Sequence, residues 1–382
     1  MIPVTKPFLP PQEAYNAYVN AIWNRNWLTN NGPVVQALEA KLKAYLNLDH
    51  FLFLNNGTIA LQLAIQALKL EGEIITTPFS FVATTSSIVW EQCQPVFVDI
   101  DALIYNIDAS KIEAAITSKT SAILATHVFG NPCEVEQIQQ IADKYQLKVI
   151  YDAAHCFGVQ YKGKSILEYG DTSTISFHAT KLFHTIEGGG VVVKNQEMEQ
   201  CLRSLRNFGY NKTGEIETLG INGKNSEFHA AMGLVNLDYT TTILAKRKSQ
   251  YNYYLRNLQG NSFSFQQITI YTHYNYAYFP ILFETEQALL EALLAFKAHK
   301  IYPRRYFHPA LNQLAYTTSA GMPIAEHIAN RILCLPLYHT LTRVSQDKIC
   351  NILLKKQTRN NLNRRIELVK ESPVAQSRRF NQ

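Results

Sequence analysis

Three residues near the middle of the chain, Asp152, Ser176 and Lys181, have side chains that could perform one chemistry together. A lysine amine can hold an aldehyde as a Schiff base. A buried aspartate can keep a pyridine nitrogen protonated, so that the ring accepts electrons from a carbanion. The serine, five residues before the lysine, could donate its hydroxyl to a phosphate. Their order and spacing therefore indicate a pocket for pyridoxal phosphate (PLP).

The turn Asn56-Gly57-Thr58 is a second candidate for holding the phosphate of that cofactor. It follows a predicted strand over 51–54 and opens a predicted helix over 58–68. Helix N-termini present free N–H groups and a positive dipole end, so they bind anions. An ordinary helix cap with a glycine in the turn would have the same sequence, and these residues alone leave that alternative open.

Asp152, His155 and Phe81 are candidates for contact with the cofactor ring. Asp152 ends an apolar run, where a carboxylate is costly to bury unless it is paired. A protonated pyridine nitrogen would be such a partner, and a capping role is the alternative. His155 could contact the phenolic oxygen or the ring face, or be a hydrogen-bonded core histidine. Phe81 could stack on the flat ring, or fill the core as most aromatic side chains do.

Other cofactor and metal chemistries do not fit the sequence. No Walker A motif is present, and Gly188-Gly-Gly190 precedes a β-branched run over 191–193 rather than the helix of a dinucleotide-binding motif. The histidines lack the spacing of metal ligands. We therefore expect no metal site.

The composition is that of a globular protein with one large domain and a smaller one. The 382 residues are 47% apolar and 17% charged, which allows a full core and little disorder. The net charge of +6 comes mostly from the C-terminal tail. No nucleic-acid-binding motif accompanies this charge. We therefore expect a solvated helix and a frayed end there rather than binding to nucleic acid.

Cysteine usage and hydropathy predict a cytoplasmic protein. The six cysteines are scattered without a C-x-x-C pair, which is typical of reduced thiols. The first residues lack the basic and apolar regions of a signal peptide. No apolar run approaches the roughly 18 residues of a membrane span, so we expect no contact with a membrane.

Strand-like and helical patterns alternate along the first two thirds of the chain, which predicts an α/β sheet with helices on both faces. Ligands of such sheets bind beyond the carboxyl ends of the strands, where Asp152, Ser176 and the turn 55–58 fall. The predicted organisation is an N-terminal arm over residues 1–30, a large PLP-binding domain over 31–245, and a small α+β domain with a basic tail over 246–382.

Short stretches of recognisable pattern occur along the chain from about residue 3 to about residue 345. They are Gly32-Pro33, Asn56-Gly-Thr-Ile-Ala-Leu61, Pro78-Phe-Ser-Phe-Val-Ala-Thr84, Pro95-Val-Phe-Val-Asp99, Asp152-Ala-Ala-His155, Gly170-Asp171, Ser176-Phe-His-Ala-Thr-Lys181, Glu187-Gly-Gly189, Arg206-Asn-Phe-Gly209 and Gly220-Ile-Asn-Gly-Lys-Asn-Ser-Glu227. Together they make the chain resemble the DegT/DnrJ/EryC1/StrS family of PLP-dependent sugar aminotransferases.

The resemblance implies an aspartate-aminotransferase-type (fold type I) large domain with a mixed, mostly parallel seven-stranded sheet, plus a smaller α+β C-terminal domain. It implies a homodimer whose active sites lie at the interface. It also implies that Lys181 holds PLP covalently and moves the proton, and that Asn222 reaches the phosphate bound to the other subunit. The other implied roles are Asp152 at the pyridine nitrogen, Phe81 on the ring, Gly57, Thr58 and Ser176 at the phosphate, and His155 near the 3′ oxygen.

The segment Tyr302-Pro-Arg-Arg-Tyr-Phe-His308 resembles the substrate-facing strand of members that aminate dTDP-4-keto-6-deoxy-D-glucose. The resemblance thus implies L-glutamate as the amino donor and dTDP-4-amino-4,6-dideoxy-D-glucose as the product, for the synthesis of O-antigen or another surface polysaccharide. Arginine suits bidentate binding of phosphate. The candidates for holding the diphosphate and the sugar are Lys224, Arg305, Tyr306 and His308.

The sequence leaves alternatives to this reaction open. Amination could take place on a 3-keto sugar or on a UDP-linked 4-keto sugar, or the chain could be a PLP-fold regulator that senses an amino sugar. Intact Lys181 and Asp152 favour an enzyme, since related dehydratases carry histidine at the lysine position. The chain departs from the family pattern at Tyr151, usually Glu, at Phe208, usually His, and at Gly223-Lys224, usually Tyr-Arg. The last change concerns contacts with the sugar nucleotide rather than the chemistry.

Overall fold

The computed structural model describes residues 1–317 and 320–354, and the predicted basic tail lies outside them. The strands are β1 (Ile2–Pro3), β2 (Phe51–Leu54), β3 (Glu73–Thr76), β4 (Gln94–Phe97), β5 (Thr120–Thr126), β6 (Lys148–Asp152), β7 (Gln160–Tyr161), β8 (Lys164–Ser165), β9 (Thr172–Ser176), β10 (Gly189–Val193), β11 (Phe263–Ser264), β12 (Thr272–His273), β13 (Pro280–Phe283), β14 (Ile301–Tyr302) and β15 (Ile332–Cys334). The α-helices before residue 340 are α1 (Gln12–Arg25), α2 (Pro33–Leu46), α3 (Gly57–Ala67), α4 (Val82–Trp90), α5 (Ala109–Ile112), α6 (Val135–Tyr145), α7 (Gln196–Leu205), α8 (Glu227–Asp238), α9 (Thr240–Leu258), α10 (Glu286–Ala298) and α11 (Pro323–Arg331), and residues 343–354 are also helical.

The large sheet has seven strands in the order β2-β10-β9-β6-β5-β3-β4. Strand β10 runs antiparallel to β2 and β9, and the other neighbouring pairs are parallel. Because β10 alone is reversed, the carboxyl ends of β2, β9, β6 and β5 lie at one edge of the sheet. The predicted mixed, mostly parallel seven-stranded sheet is therefore confirmed.

The sequence forms these elements for local reasons. Strand β2 is a continuous apolar run that is buried along its whole length, as expected where helices cover both faces of a sheet. Helix α3 begins directly after it because the side chain of Asn56 accepts a hydrogen bond from the N–H of Ile59 at 2.8 Å. The short strand-to-helix turn places the first residues of α3 at the carboxyl edge of the sheet.

A second, smaller core follows the large one along the chain. It contains the antiparallel sheet β11-β13-β15 with α10 and α11. Helix α9 contributes Ile243 to the large core and Tyr254 and Leu258 to the smaller one. We propose that the boundary between the two domains falls within this helix, near the predicted residue 245.

The predicted N-terminal arm contains β1 and α1. Strand β1 pairs in parallel with β14, and the N–H of Leu337 donates to the carbonyl of Val4 at 3.0 Å. Further along the same segment, the carbonyl of Phe8 accepts from Nε2 of His184 at 2.7 Å. The arm therefore connects the C-terminal part of the chain with the loop that carries Lys181.

None of the helices in the described ranges is long and apolar enough to cross a membrane. Nor do those ranges contain a group of three or more His, Cys, Asp or Glu side chains placed to hold a metal ion. All six cysteines are free thiols, and five of them are buried.

Candidate active site

A cavity of about 480 Å³ opens at the carboxyl edge of the large sheet. The loop between β9 and β10 and the segment after β14 complete its wall. The structure brings eight of the predicted site residues together here. They are Gly57, Thr58, Phe81, Asp152, His155, Ser176, Lys181 and Tyr306.

One end of the cavity is formed by the N-terminus of α3 and the end of β9. Gly57 and Thr58 are the first two residues of the helix, and Ser176 is the last residue of the strand. The backbones of Gly189 and Asn56 lie close together at this point, since a Cβ at Gly189 would lie 2.5 Å from the carbonyl carbon of Asn56. First-turn N–H groups of a helix have no partner within the helix and attract anions, so this end suits a phosphate.

Asp152 forms the polar floor of the cavity. It is buried at the end of β6 and accepts hydrogen bonds from the Thr84 hydroxyl at 2.7 Å and from the N–H of Ala154 at 3.1 Å. Within the described part of the chain, no lysine, arginine or histidine forms an ion pair with it. Burial raises the pKa of this carboxyl, while the two hydrogen bonds and the charge of Lys181 oppose the shift. A carboxylate without a cation partner suits a positively charged N–H donor in the cavity.

Thr84 is itself held in a row of hydroxyls that the sequence did not single out. The hydroxyls of Ser80 and Thr84 lie 2.7 Å apart, and the Thr126 hydroxyl donates to Ser80 Oγ at 3.1 Å. All three residues are buried. This row fixes the direction of the hydrogen bond that Thr84 donates to Asp152.

Lys181 lies on the loop between β9 and β10, where its N–H donates to the carbonyl of His178 at 2.8 Å. Burial lowers the pKa of its amine, and the charge of Asp152 and the hydroxyl of Tyr306 act in the opposite direction. The amine therefore loses its proton at a lower pH than an exposed lysine. An unprotonated amine in the same cavity as a buried carboxylate is what a nucleophilic and proton-moving lysine requires.

His155 is a neutral hydrogen-bond donor toward the cavity. Its Nδ1 accepts from the backbone N–H of Phe129 at 3.2 Å, so the ring proton belongs on Nε2. Burial lowers its pKa well below the ordinary value, and the charge of Lys181 lowers it further. The ring packs against Tyr278, with centroids 4.7 Å apart, and stacks with Phe307 at 5.9 Å. His155 is therefore a hydrogen-bonded histidine that also lines the cavity, and its contact with the cofactor remains a prediction.

Phe81 lies at the start of α4 and keeps 50% of its surface exposed. An aromatic side chain that lines a cavity without packing into the core leaves a ring face free for a planar ligand. The stacking role remains a prediction.

Four predicted residues are not among those that line this cavity. The Lys224 amine donates to Asn207 Oδ1 at 2.7 Å, and Asn222 pairs with the backbone of Asn207. Arg305 donates to Glu286 Oε1 at 2.8 Å, and His308 is exposed. The family resemblance assigns Asn222 to the site of a second subunit, so its role, like those of Lys224, Arg305 and His308, remains a prediction.

Several residues of the site, some lining the cavity and some supporting its lining, were not singled out from the sequence. Thr84 lies within the matched stretch 78–84, one helical turn after Phe81, so its spacing was a usable signal. Arg304 is adjacent to the predicted Arg305, and neighbouring residues in extended backbone point to opposite sides. The pairing of Arg304 with Cys334 determines which of the two arginines points into the cavity. No local pattern in the sequence reveals that contact. The lining residues that were not predicted include Glu187, Tyr278 and Phe307.

The residues present fit PLP. The helix N-terminus and Ser176 suit its phosphate, and the uncompensated carboxylate of Asp152 suits its protonated ring nitrogen. The Nε2–H of His155 suits an oxygen acceptor, and the amine of Lys181 suits its aldehyde. The fit rests on the hydrogen-bonding capacity that each group has left.

Known proteins with similar sequence and structure agree with this chemistry. dTDP-4-amino-4,6-dideoxy-D-glucose transaminase of Shigella dysenteriae is 44% identical over 351 residues, which cover 89% of this chain and 94% of that protein. A protein of the same name from Escherichia coli is 43% identical over 369 residues, covering 93% and 98%. A solved structure of DesI in the presence of its TDP-sugar product superposes with a TM-score of 0.90 at 29% identity, covering 96% of this chain and 95% of that one. Residues 11–354 match the model of one family, and the chain belongs to it: the DegT/DnrJ/EryC1/StrS aminotransferase family.

Proposed function

We propose that this protein uses PLP to transfer the amino group of L-glutamate to C4 of dTDP-4-keto-6-deoxy-D-glucose, which gives dTDP-4-amino-4,6-dideoxy-D-glucose for surface polysaccharide or O-antigen synthesis. The observation that carries the proposal is the identity of 43–44% with two transaminases named for that product, over nearly the whole of both chains. The intact Lys181 and Asp152 in one cavity support the same chemistry.

Residues at the cofactor end of the cavity would orient PLP by holding both its phosphate and its ring. The first turn of α3 and the Ser176 hydroxyl would hold the phosphate, and Phe81 would stack on the ring. Asp152, held in place by Thr84 and Ala154, would accept from the ring nitrogen and keep it protonated. His155 would donate from Nε2 to an oxygen of the cofactor. When bound in this way, PLP supplies an electron sink for a carbanion next to the substrate nitrogen.

Lys181 would serve as the base and the acid of the reaction. Since burial lowers its pKa, the amine gives up its proton more readily than an exposed lysine does. Its Nζ takes a proton from Cα of glutamate in the first half of the reaction. In the second half, Nζ gives a proton to the sugar carbon that receives the nitrogen.

We further propose that the active protein is a homodimer, in which Asn222 and Lys224 act at the site of the partner. Large apolar side chains are exposed near these residues, among them Ile216 at 65% and Leu219 at 82%. Exposed apolar clusters of this kind often mark protein interfaces. The free thiols support a cytoplasmic location.

The proposed substrate can be tested with a panel of dTDP- and UDP-linked 3-keto and 4-keto sugars, each incubated with the purified protein, PLP and L-glutamate. We expect turnover to be highest with dTDP-4-keto-6-deoxy-D-glucose, and NMR to locate the nitrogen on C4 of the product. Preferred amination at C3 or of a UDP-linked sugar would replace the proposed substrate. Absence of glutamate-dependent turnover across the panel would favour an amino-sugar sensor instead.

A further inference from the structure

We propose that Arg304, and not its neighbour Arg305, binds an oxyanion of the substrate in this cavity. The inference rests on the proposed function and deepens it, since both proposed substrates carry oxyanions. Glutamate brings two carboxylates, and the sugar nucleotide brings a diphosphate.

Among the described residues, the charges that line the cavity leave one cation for this task. The acidic residues of the lining are Asp152 and Glu187, and its lysine and arginine are Lys181 and Arg304. Lys181 must lose its proton to act as a base. An arginine keeps its charge at every physiological pH and presents several N–H donors in a plane. Arg304 is therefore the permanent positive charge with which a substrate anion can pair.

The surroundings of Arg304 orient its side chain and leave it without an acidic partner. Its backbone N–H and carbonyl pair with Cys334 at 3.2 and 2.8 Å. The guanidinium carbon lies 4.7 Å from the centroid of the Tyr306 ring, which also lines the cavity. Residues 1–317 and 320–354 contain no carboxylate in an ion pair with it. Contact with a ring face occupies neither edge of the guanidinium, so its N–H groups can donate to an oxyanion.

Arg305 is engaged elsewhere. Its guanidinium donates to Glu286 Oε1 at 2.8 Å and to the carbonyl of Asn330 at 2.9 Å. These contacts join the beginning of α10 to the end of α11, and none of the three residues lines the cavity. We infer that Arg305 stabilises the smaller domain and that the adjacent arginine faces the ligand.

Binding to the purified holoenzyme, measured by calorimetry without turnover, tests this assignment. Glutarate probes a carboxylate site, and dTDP probes a diphosphate site. We expect Arg304→Met to raise the Kd of at least one probe by about 10- to 100-fold, the range for the loss of a hydrogen bond to a charged group. Arg304→Lys should recover part of the loss. The probe that is affected identifies which substrate Arg304 contacts.

The controls separate this role from general effects. Arg256→Met removes an exposed arginine of α9 and should leave both affinities within about 2-fold, as surface substitutions usually do. Unchanged binding of both probes in Arg304→Met, an equal loss in Arg305→Met, or no binding of either probe to the unmodified enzyme would overturn the assignment. The binding measurement needs no turnover. Inactivity toward every keto sugar would therefore refute the proposed function without affecting the test of Arg304.

Discussion

The two ends of the cavity are built in different ways. At the cofactor end, Asp152 and Ser176 are the last residues of two adjacent parallel strands, and Gly57 is the first residue of a helix. At the substrate end, Arg304 and Tyr306 lie in a segment without regular structure, anchored by the pairing of Arg304 with Cys334, 30 residues further on. The sheet fixes the first group rigidly. The second group depends on contacts between distant parts of the chain.

This difference predicts two kinds of kinetic effect. A change at the cofactor end should lower kcat for every substrate, since all of them use the same ring and the same base. A change at the substrate end should raise KM for one substrate and leave the chemistry intact. Substitutions at the two ends of the cavity test that division.

Lys181→Ala should have the largest effect. It removes the base and the covalent attachment, so we expect glutamate-dependent turnover to fall by at least about 10³-fold. Stopped-flow or coupled assays with a saturating keto sugar would measure this. Lys181→Arg, which keeps a positive charge but lacks the basic amine, should be similarly inactive. Normal kinetics in either variant would remove Lys181 from the mechanism.

Asp152→Asn should lower kcat by about 10²- to 10³-fold, because a neutral amide cannot hold the ring nitrogen in its protonated form. The same variant has a second expected effect. Burial raises the pKa of Asp152, so the folded protein binds a proton more tightly than the unfolded chain. The cofactor-free protein should therefore lose stability as the pH rises from about 4, the unfolded pKa of aspartate, through the folded pKa.

The stability effect has its own measurement. Cofactor-free Asp152→Asn should lack that loss and be more stable than the unmodified apoprotein at neutral pH, as judged by urea unfolding at several pH values. Equal pH dependence of the two proteins would show that the carboxylate is not held in the way described here.

Thr84→Val should have an intermediate effect, since it removes one hydrogen bond to Asp152 and keeps the shape of the side chain. A hydrogen bond to a charged group contributes about 1.5–3 kcal/mol, so we expect the Kd of PLP to rise at least about 10-fold. The next residue offers a matched control, because the hydroxyl of Thr85 is buried without a hydrogen-bond partner among the described residues. Thr85→Val should leave the Kd unchanged, and equal effects of the two substitutions would argue against the role of Thr84.

Lys224→Met should have the smallest effect and should act at the substrate end. Lys224 is partly exposed and contacts Asn207 and the ring of Phe208. If it reaches the sugar nucleotide of the partner subunit, its loss should raise KM for that substrate by up to about 5-fold with kcat unchanged. Lys212→Met, at an exposed position of the same region, serves as the control. A fall in kcat with an unchanged KM would break the division between the two ends.

The sequence predicts the cofactor end well because its residues follow from local order. Asp152 ends an apolar strand, Ser176 ends the next strand in the sheet, and Gly57 follows a third. The strands before Asp152 and before Gly57 are apolar runs followed by polar residues, whereas the strand that ends at Ser176 is mostly polar. The carboxyl-edge rule then brings them together without further information.

The substrate end is harder to predict from the sequence, because its geometry depends on contacts between distant parts of the chain. The orientation of Arg304 and Arg305 depends on pairing with Cys334, which local periodicity does not encode. One part of the cofactor end is hidden from the sequence in the same way. The hydroxyl row from Thr126 through Ser80 to Thr84, which supports Asp152, joins a strand to a helix that begins more than 30 residues earlier. Contacts of this kind follow from the tertiary fold.

Reduction of the holoenzyme with borohydride, followed by peptide mapping, shows whether Lys181 is joined to PLP. We expect one peptide, within residues 176–190, that carries the reduced cofactor on Nζ of Lys181, and no such peptide in Lys181→Arg. Absence of label in the unmodified protein, or label on a different lysine, would contradict the claim that this amine is joined to PLP above Asp152.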